Sequence, residues 1–585
     1  MPEDPKGSLN KPTRVPQSGS SEMNMESRLL LAFILMGAVL FLTQYFFSPT
    51  SPTKPSVKQT QAVSPKEASK PPQPATSPTG TPAAEPVFAQ KEQTNVIDTD
   101  VYRITFSNRG AVVRSWILKK YKDSAGKPLD LVNQSSGALV GYPFSLTFGE
   151  TKPSQDLNKV LYTTTVSPDN LAIDFRYADG SVTSTKSFRF SKNSYLSDVS
   201  SEVLQGTSLV PHYLAWRGGF GDPQVHNAPA TEHTLYYDAS NRKLNIKDAK
   251  AAKDGVVTDA GNYAFAGLQD SFFAAVFLPK QAEPIQIQTW GEQLPLASDK
   301  DRKEPHVGAG IGGTGRIQLA LFVGPKDLDL LRRVNPALEN LVDFGFFSFI
   351  ARPLFLALNW VNDHYVHNYG WSIILVTLII NLTLMPLKFT SMKSMKKMQS
   401  LAPQVNAINE KYKHLSIRDP KKAEANQEIM ELYRKHGVNP MGGCMPLLLQ
   451  IPFFIAFYTV LTVAIEMRGA QWLWVHDLSQ PETLAIHILP ILMVGTQFWL
   501  QKMTPNTSMD PQQQRIMLFM PLMFAFFFYN ASAGLVLYWL TGNLVGIVQQ
   551  WLMNRTAKGS AGTSSGPAVE VIPPAPKPKK KTSRI

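Results

Sequence analysis

The sequence predicts an α-helical polytopic membrane protein with six spans and a large antiparallel β-sandwich domain outside the membrane. Apolar runs long enough to cross a bilayer occur once near the N-terminus and again in the last third of the chain. Between them lie many short runs in which apolar and polar residues alternate, bounded by Gly, Pro, Asn and Asp, a pattern typical of strands. The mean hydropathy of −0.12 therefore averages a polar half and an apolar half.

Length and charge set the first limits on domain number and partners. A chain of 585 residues is long enough for two or more domains. Its net charge of +13 suits an anionic partner, either phospholipid headgroups or nucleic acid. The single cysteine, Cys444, leaves no partner for a disulfide within this sequence.

The first three segments of the chain are predicted to be a tail, a membrane anchor and a linker. Residues 1–28 are polar and rich in Pro and Ser, which predicts disorder. Residues 29–47 form an apolar run about long enough to span a bilayer. A cleaved signal peptide is the alternative, but the run is long for one and no A-x-A site follows, which favours a retained anchor. Prolines recur through residues 48–86, which predicts an extended linker without a core.

Residues 87–337 are predicted to form the β-sandwich. The segments 101–106 and 285–288 alternate between apolar and polar residues, as half-buried strands do. A glycine-rich segment, residues 308–313, matches the G-x-G-x-x-G pattern of a dinucleotide-binding loop. That loop requires a helix after it. A strand-like segment follows here, so we predict a turn at this position.

Residues 338–367 carry apolar side chains at steps of three and four, with Asp343, Arg352, Asn359 and Asp363 between them. This spacing predicts an amphipathic helix that lies on the membrane surface. The alternative is an ordinary core helix of the sandwich domain.

Residues 368–553 are predicted to hold five further spans. They are residues 371–387, 445–465, 484–501, 516–529 and 535–553. The loop 388–437 is rich in Lys and Arg, whereas the loop 466–483 holds Arg468 alone among three acidic residues. By the positive-inside rule the first loop is cytoplasmic and the second is outside. This orientation places the sandwich domain outside and both termini, including the basic tail 554–585, in the cytoplasm.

Motifs for chemistry are scarce in this sequence. It contains no P-loop, no G-x-S-x-G nucleophile motif and no metal-ligand motif of the CxxC or HExxH kind. We therefore predict that the protein is not an enzyme and uses no metal or cofactor.

Polar side chains inside the predicted spans are the more informative feature. They are Thr377, Asn381, Gln450, Gln497, Asn530, Asn543 and Gln549. Thr377 and Asn381 are four residues apart and share a helix face. One interpretation is hydrogen bonding between helices, worth about 0.6 kcal/mol per pair. The other is a shared hydrated cavity, which the set as a whole favours.

The loop 388–437 is itself predicted to be a helical hairpin. Its first arm carries an apolar stripe that includes Met392, Met395, Met398 and Tyr412. A methionine-rich face is typical of surfaces that bind many different apolar helices. The alternative is that this stripe only packs the two arms together.

Three segments give the chain a specific resemblance. They are VNPMGGCMPLLLQIPFFIAFY at residues 438–458, the pair QKM and DPQQ at residues 501–503 and 510–513, and GLVLYW at residues 534–539 followed by Asn543. Together with the order of segments, they resemble the YidC/Oxa/Alb family of membrane-protein insertases. The resemblance is to its Gram-negative bacterial members that carry a large periplasmic domain.

The resemblance implies a periplasmic β-supersandwich and an insertase core with a hydrophilic groove. It implies a multi-pass protein of the bacterial inner membrane that inserts nascent membrane proteins, alone or with the Sec translocon, and acts as their chaperone. The implied partners also include the ribosome and signal recognition pathway, which would meet the hairpin and basic tail, and anionic phospholipids.

Site residues follow from the same resemblance. The family's groove has a threonine and an arginine on the second span and an aromatic residue on the sixth. Thr377 is at the threonine position and Trp539, next to Tyr538, is at the aromatic position. Asn381 stands at the arginine position. We therefore expect a groove without that positive charge, in which acidic segments gain little over neutral ones.

Two other classes of protein remain as alternatives. A transporter or channel would show paired halves with broken helices, and the five core spans show none. A sugar-binding surface protein would use the sandwich but leave the basic hairpin without a purpose.

Overall fold

The computed structural model describes most of the chain beyond the predicted linker. The described residues are 86–123, 125–222, 231–280, 284–296, 299–412, 421–438, 445–504 and 521–560. The predicted tail and anchor, Cys444 and the end of the basic tail lie outside them. The chain divides into two compact units, Gln73–Ala407 with Glu431–Ile585, and Met1–Pro72 with Ile408–Met430.

Antiparallel strands dominate the first half of the described chain. They are β1 (Thr94–Asp98), β2 (Tyr102–Ser107), β3 (Val112–Lys122), β4 (Pro128–Asp130), β5 (Ser145–Phe148), β6 (Thr163–Val166), β7 (Ala172–Ala178), β8 (Val182–Arg189), β9 (Leu196–Gln205), β10 (Ser208–Leu209), β11 (His212–Trp216), β12 (His233–Asp238), β13 (Lys243–Lys247), β14 (Val257–Gly261), β15 (Tyr263–Gln269), β16 (Phe273–Pro279), β17 (Ile285–Leu296), β18 (Asp299–Thr314) and β19 (Arg316–Pro325).

These strands form a sandwich with a smaller sheet at one side. The ten-stranded sheet has the order β13-β12-β15-β16-β19-β9-β8-β7-β6, with β10 on β9, and the five-stranded sheet has the order β14-β17-β18-β11-β5. The two sheets face each other, since Ser201 of β9 bonds the ring of His212 of β11 at 2.9 Å. The four-stranded sheet β1-β2-β3-β4 joins this core through Tyr102, whose hydroxyl donates to the Val323 carbonyl at 2.6 Å. The predicted antiparallel β-sandwich is confirmed.

The glycine-rich segment 308–313 corrects one prediction. It is not a turn but part of β18, which pairs with β17 on one side and β11 on the other. Trp290 of β17 lies over Gly310, where an added Cβ would stand 2.6 Å from the indole ring. The glycines are therefore required by close packing across the sheet. The strand that follows is antiparallel, which excludes the dinucleotide-binding arrangement at this segment.

Helices follow the sandwich, apart from the first. They are α1 (Gln134–Val140), α2 (Leu328–Val334), α3 (Ser348–Val361), α4 (Tyr369–Thr383), α5 (Met385–Ser400), α6 (Ala402–Lys411), α7 (Lys421–Lys435), α8 (Met445–Val463), α9 (Ile488–Met503) and α10 (Ala533–Ser560). Residues 521–528 are also helical. In the described part of the chain, no single helix passes a length-and-hydropathy test for a membrane span, and one bent pair, Ser348–Val366 with Tyr369–Thr383, passes it together.

The predicted amphipathic helix 338–367 is shorter than expected. A 3-10 helix, Pro336–Leu341, comes first, and α3 begins only at Ser348. A π-helical turn, Asn362–Val366, ends it, and the chain then bends by 115° into α4. α3 packs against α4 and α8 rather than inside the sandwich, which disfavours the alternative of a sandwich-core helix. Its opposite face exposes large apolar side chains such as Phe349, Leu356 and Trp360.

Candidate functional site

The site is built on α4, whose start and end are both set by sequence. The side chain of Asn368 accepts hydrogen bonds from the backbone N–H groups of Gly370 and Trp371, an N-cap that begins the helix. Its buried face includes Ile373, Thr377 and Asn381 at four-residue steps, and this helix packs against α10. A new helix, α5, begins at Met385, with a proline in its first turn.

Each polar side chain along this face makes a hydrogen bond. The Thr377 hydroxyl donates to the Ile373 carbonyl at 2.6 Å. The Asn381 amide nitrogen donates to the Thr377 carbonyl at 2.8 Å. Because the nitrogen is engaged with its own helix, the Asn381 carbonyl oxygen points away and accepts from the Lys388 amine at 2.6 Å. Lys388 thus extends the hydrogen-bonded series that begins with the predicted pair Thr377 and Asn381.

Asn381 and Lys388 line a small cavity between α4, α5, α8 and α10. Its walls are Ile380, Asn381, Leu384, Leu387, Lys388, Gln450, Phe453 and Tyr538. The cavity volume is about 20 Å³, room for about one water molecule. The Tyr538 ring stacks on Phe457 of α8, with centroids 4.2 Å apart. One amine, two amides and one phenol therefore converge on a pocket whose remaining walls are apolar.

Lys388 brings an amine into this cavity. It lies in α5, one residue beyond the predicted span 371–387. Desolvation by the packed helices lowers the pKa of its amine. A lysine ordinarily has a pKa near 10.4 and is a cation at neutral pH. The structure therefore places a lysine amine beside Asn381, at a cavity for which the sequence predicts no basic group.

Three other predicted site residues join α9 to α10. Gln497 accepts from the Trp539 indole N–H at 3.2 Å. Asn543 donates to the Met493 carbonyl at 3.2 Å and to the Thr496 hydroxyl at 3.3 Å. Trp539 also packs edge-on against Phe454, with centroids 5.0 Å apart. Hydrogen bonding between helices, the first interpretation of these polar residues, describes Gln497 and Asn543.

Another predicted polar residue lies apart from the cavity. Asn530 is exposed, in the turn between the helical residues 521–528 and α10. Of the predicted groove residues, the structure brings Asn381, Gln450 and Tyr538 into the cavity and places Thr377 one turn away on the same helix face.

The predicted hairpin 388–437 comprises most of α5, then α6 and α7. Met392, Met395 and Met398 are half-buried on α5. Lys396, on the same helix, donates to the Met553 carbonyl of α10 at 2.5 Å. In the second compact unit, Lys411 lies over the ring of the half-buried Tyr412 at 5.0 Å and pairs with Glu428 at 3.3 Å.

Two functional features were not singled out from the sequence. Lys388 is the first residue of the loop 388–437, where the sequence does not distinguish it from the other basic residues. Its position seven residues after Asn381 would be two turns further along one unbroken helix, but α4 ends at Thr383, so helical spacing does not predict the contact. The apolar walls Leu384, Leu387 and Phe453 carry no signal either, because any span contains many similar residues. No group of three metal-ligating side chains occurs among the residues described.

Comparison with known proteins gives the family. A protein of Syntrophus aciditrophicus named Membrane protein insertase YidC is 32% identical to this chain over 571 residues, which covers 91% of this chain and 100% of that protein. The chain belongs to the YidC family of membrane protein insertases. A Campylobacter jejuni YidC protein is 31% identical over 551 residues, covering 92% of this chain and 97% of that protein.

Two family models match consecutive parts of the chain. The model described as YidC periplasmic domain matches residues 94–357, and the model described as 60Kd inner membrane protein matches residues 360–560. The two matches meet within α3, so the first contains the whole sandwich and the second contains the cavity. A solved structure titled as an active YidC insertase is 20% identical, covers 80% of this chain and 94% of its own, and has a TM-score of 0.34.

Proposed function

We propose that this chain inserts nascent membrane proteins into the bacterial inner membrane by receiving their polar flanks in the cavity between α4, α5, α8 and α10. The observation that carries this proposal is the Lys388–Asn381 contact, at 2.6 Å, inside a pocket with apolar walls. The names of its YidC relatives, membrane protein insertases, support the same function.

The physical role of the cavity is to lower the cost of moving polar groups past lipid. A charged side chain at the centre of a bilayer costs roughly 2.5–3.5 kcal/mol on insertion scales. An unpaired backbone group adds several kcal/mol more. Amide groups from Asn381 and Gln450, with one amine, replace part of the lost hydration. At 20 Å³ the cavity is too small for a chain segment, so α4, α8 and α10 separate when a substrate enters.

The free energy for the reaction then comes from the substrate. A span of about 20 apolar residues leaves water for lipid, at about 25 cal/mol for each Å² buried. Insertion by this route requires no nucleotide and no covalent step.

Lys388 gives the cavity a preference for negative charge. A pair of opposite charges about 4 Å apart gains on the order of 4 kcal/mol at an effective dielectric of 20, before desolvation. Substrates with acidic translocated tails therefore insert faster than neutral ones. If about 1.4 kcal/mol survives desolvation, the preference is about tenfold.

An insertion assay with the full-length protein in lipid vesicles tests the proposal. Two single-span substrates differ only by Asp or Asn in the translocated tail. We expect the native protein to prefer the Asp tail about tenfold and Lys388→Met to lose the preference. Lys393→Met, an exposed lysine on the same helix, is the matched control and keeps it.

A second variant separates charge from position. Adding Asn381→Arg to Lys388→Met returns a cation to the cavity one helix earlier, so the preference for Asp tails returns. Equal insertion of both tails by the native protein, or an undiminished preference in Lys388→Met, rules out the charged cavity. The insertase function itself is tested in cells depleted of the protein, where protease mapping shows whether newly made membrane proteins are inserted. If all of them insert normally without the protein, the insertase function is ruled out.

Partners and topology complete the proposal. The protein receives chains from the ribosome and the signal recognition pathway and hands some to the Sec translocon. Its basic tail, residues 554–585, suits polyanionic RNA and anionic phospholipids. The N- and C-termini are cytoplasmic and the sandwich is periplasmic.

A further inference from the structure

The segment between α8 and α9 covers the ends of the two helices that carry Asn381 and Tyr538. We call this segment, residues 464–487, the α8–α9 loop. Its Leu478 and Gln480 carbonyls accept from the backbone N–H groups of Gly534 and Ala533, which begin α10. The first N–H groups of a helix have no partner within it, so the loop satisfies two of them.

The same loop is fitted to the start of α4. The Trp472 ring lies against Gly370, where an added Cβ would stand 2.2 Å from the indole. Asn368, the N-cap of α4, donates to the Gln471 carbonyl at 2.8 Å. Displacing the loop would therefore uncap the start of α10 and remove the contact that holds the N-cap residue of α4.

One side chain of this loop reaches the β-sandwich. The Arg468 guanidinium donates to the Asp222 carboxylate at 2.5 Å and to the Lys122 carbonyl at 3.0 Å. It also lies over the rings of Phe272 and Phe273, 5.5 and 5.4 Å from their centroids. Its contacts come from the end of β3, from the segment after β11 and from the β15–β16 turn, so it fits one position on the domain.

Because both side chains are buried, breaking this contact has a large free-energy cost. The side chains of Arg468 and Asp222 are 7% and 0% exposed. Removing one partner of a buried pair leaves an uncompensated charge in a poorly solvated site. The loop cannot move away from the sandwich unless both charges are rehydrated.

We infer that Arg468 is a positioning residue that couples the periplasmic sandwich to the α8–α9 loop, so that the domain holds the loop on the starts of α4 and α10. The coupling is a property of the fold and does not depend on the proposed insertase function. It gives the sandwich a mechanical role in the core, in addition to any ligand of its own.

Hydrogen exchange of the full-length protein in lipid nanodiscs tests this inference. The reporters are the amides of Ala533 and Gly534, which donate to the loop. We expect Arg468→Leu to raise their exchange rates at least tenfold while amides of β19 keep theirs. Arg316→Leu is the matched control, because it removes an exposed pair with Glu202 inside the sandwich. It leaves both sets of rates unchanged.

Asp222→Asn provides a second, milder route to the same result. It keeps the size of the side chain, removes its charge and leaves Arg468 in place, so it serves if Arg468→Leu does not fold. We expect faster exchange at Ala533 and Gly534 here as well. Unchanged reporter rates in the folded variants overturn the coupling. A parallel rise in β19 also overturns it, because the pair would then stabilise the sandwich as a whole.

Discussion

Glu466 is a half-buried acidic residue outside the cavity. It lies in the α8–α9 loop two positions before Arg468, and its Oε2 is buried without a hydrogen-bond partner among the described residues. Burial raises the pKa of its carboxyl to about 7, with a further contribution from the negative charge of Asp327. Asn359 of α3 bonds the charged form and opposes this shift. Asp329 acts in the same direction as Asp327, so two acidic groups that follow β19 both raise the pKa of Glu466.

This pKa predicts that the loop is held more firmly in acid. The packed loop binds a proton near pH 7, whereas an opened loop releases it near the ordinary value of 4.5. The stabilisation is complete below about pH 4.5 and is lost as the pH rises through 7. Between pH 6 and pH 8 the protection of the Gly534 amide should fall about tenfold, after correction for intrinsic exchange. Glu466→Gln should abolish this dependence, and the same fall in that variant would contradict it.

At the cavity, residue-level prediction from sequence succeeded for groups on one helix and failed across a helix break. Asn381 and Thr377 share a face because helical spacing requires it. Lys388 reaches the same cavity only because α5 begins anew at Met385 and turns its side chain back toward Asn381. No local pattern encodes that return. Likewise, the sequence does not distinguish Gln497 and Asn543 from Gln450, because all three are polar residues inside predicted spans. Only the packing of α9 against α10 places Gln497 and Asn543 at a different interface.

At the scale of elements, β18 shows what local patterns miss. Alternation predicted strands such as β2 and β17, in which successive side chains face opposite sides of the sheet. The glycines of β18 remove that alternation, and only its two neighbouring strands determine that the segment is extended. The helix α3 is predicted in kind but not in length, because the chain first makes a 3-10 turn at Pro336–Leu341.

The close packing at Gly310 gives a test of this account. Gly310→Ala places a methyl group 2.6 Å from the Trp290 ring, so β17 and β18 must separate or the indole must move. We expect the free energy of unfolding of the sandwich to fall by about 1–3 kcal/mol, an apparent Tm lower by several degrees.

Thermal unfolding of the full chain, followed by near-UV circular dichroism, measures this change. Gly149→Ala is the control, since an added Cβ there meets nothing within 4 Å. Equal melting temperatures for the two variants would show that β18 does not depend on its glycines.

At the scale of the whole molecule, the direction of the chain across the membrane is the main prediction to test. The excess of Lys and Arg in residues 388–437 predicts that this loop is cytoplasmic and that the sandwich is periplasmic. Cys444, the single thiol of this sequence, follows the loop directly, outside the described residues.

A membrane-impermeant thiol reagent applied to the periplasmic side should therefore leave Cys444 unlabelled, and opening the cytoplasmic side should expose it. A Cys444→Ala variant with Ser240→Cys, an exposed turn position of the sandwich, is the control and should label from the periplasm. Labelling of Cys444 in intact spheroplasts would show that the orientation is the opposite of the predicted one.

The sequence positions of Arg468 and Asp222 indicate when their contact forms during synthesis. Its partners are 246 residues apart in sequence, and the sandwich closes earlier through Tyr102 and Val323, which are 221 apart. Because N-terminal domains fold first as a chain emerges, Asp222 is already fixed when Arg468 is made. A folded sandwich shortens the effective loop that must close, which lowers the entropy cost of the late contact. Docking of the first domain on the last-made helices is thus a final step of biogenesis, and a sandwich that folds slowly would delay maturation of the whole protein.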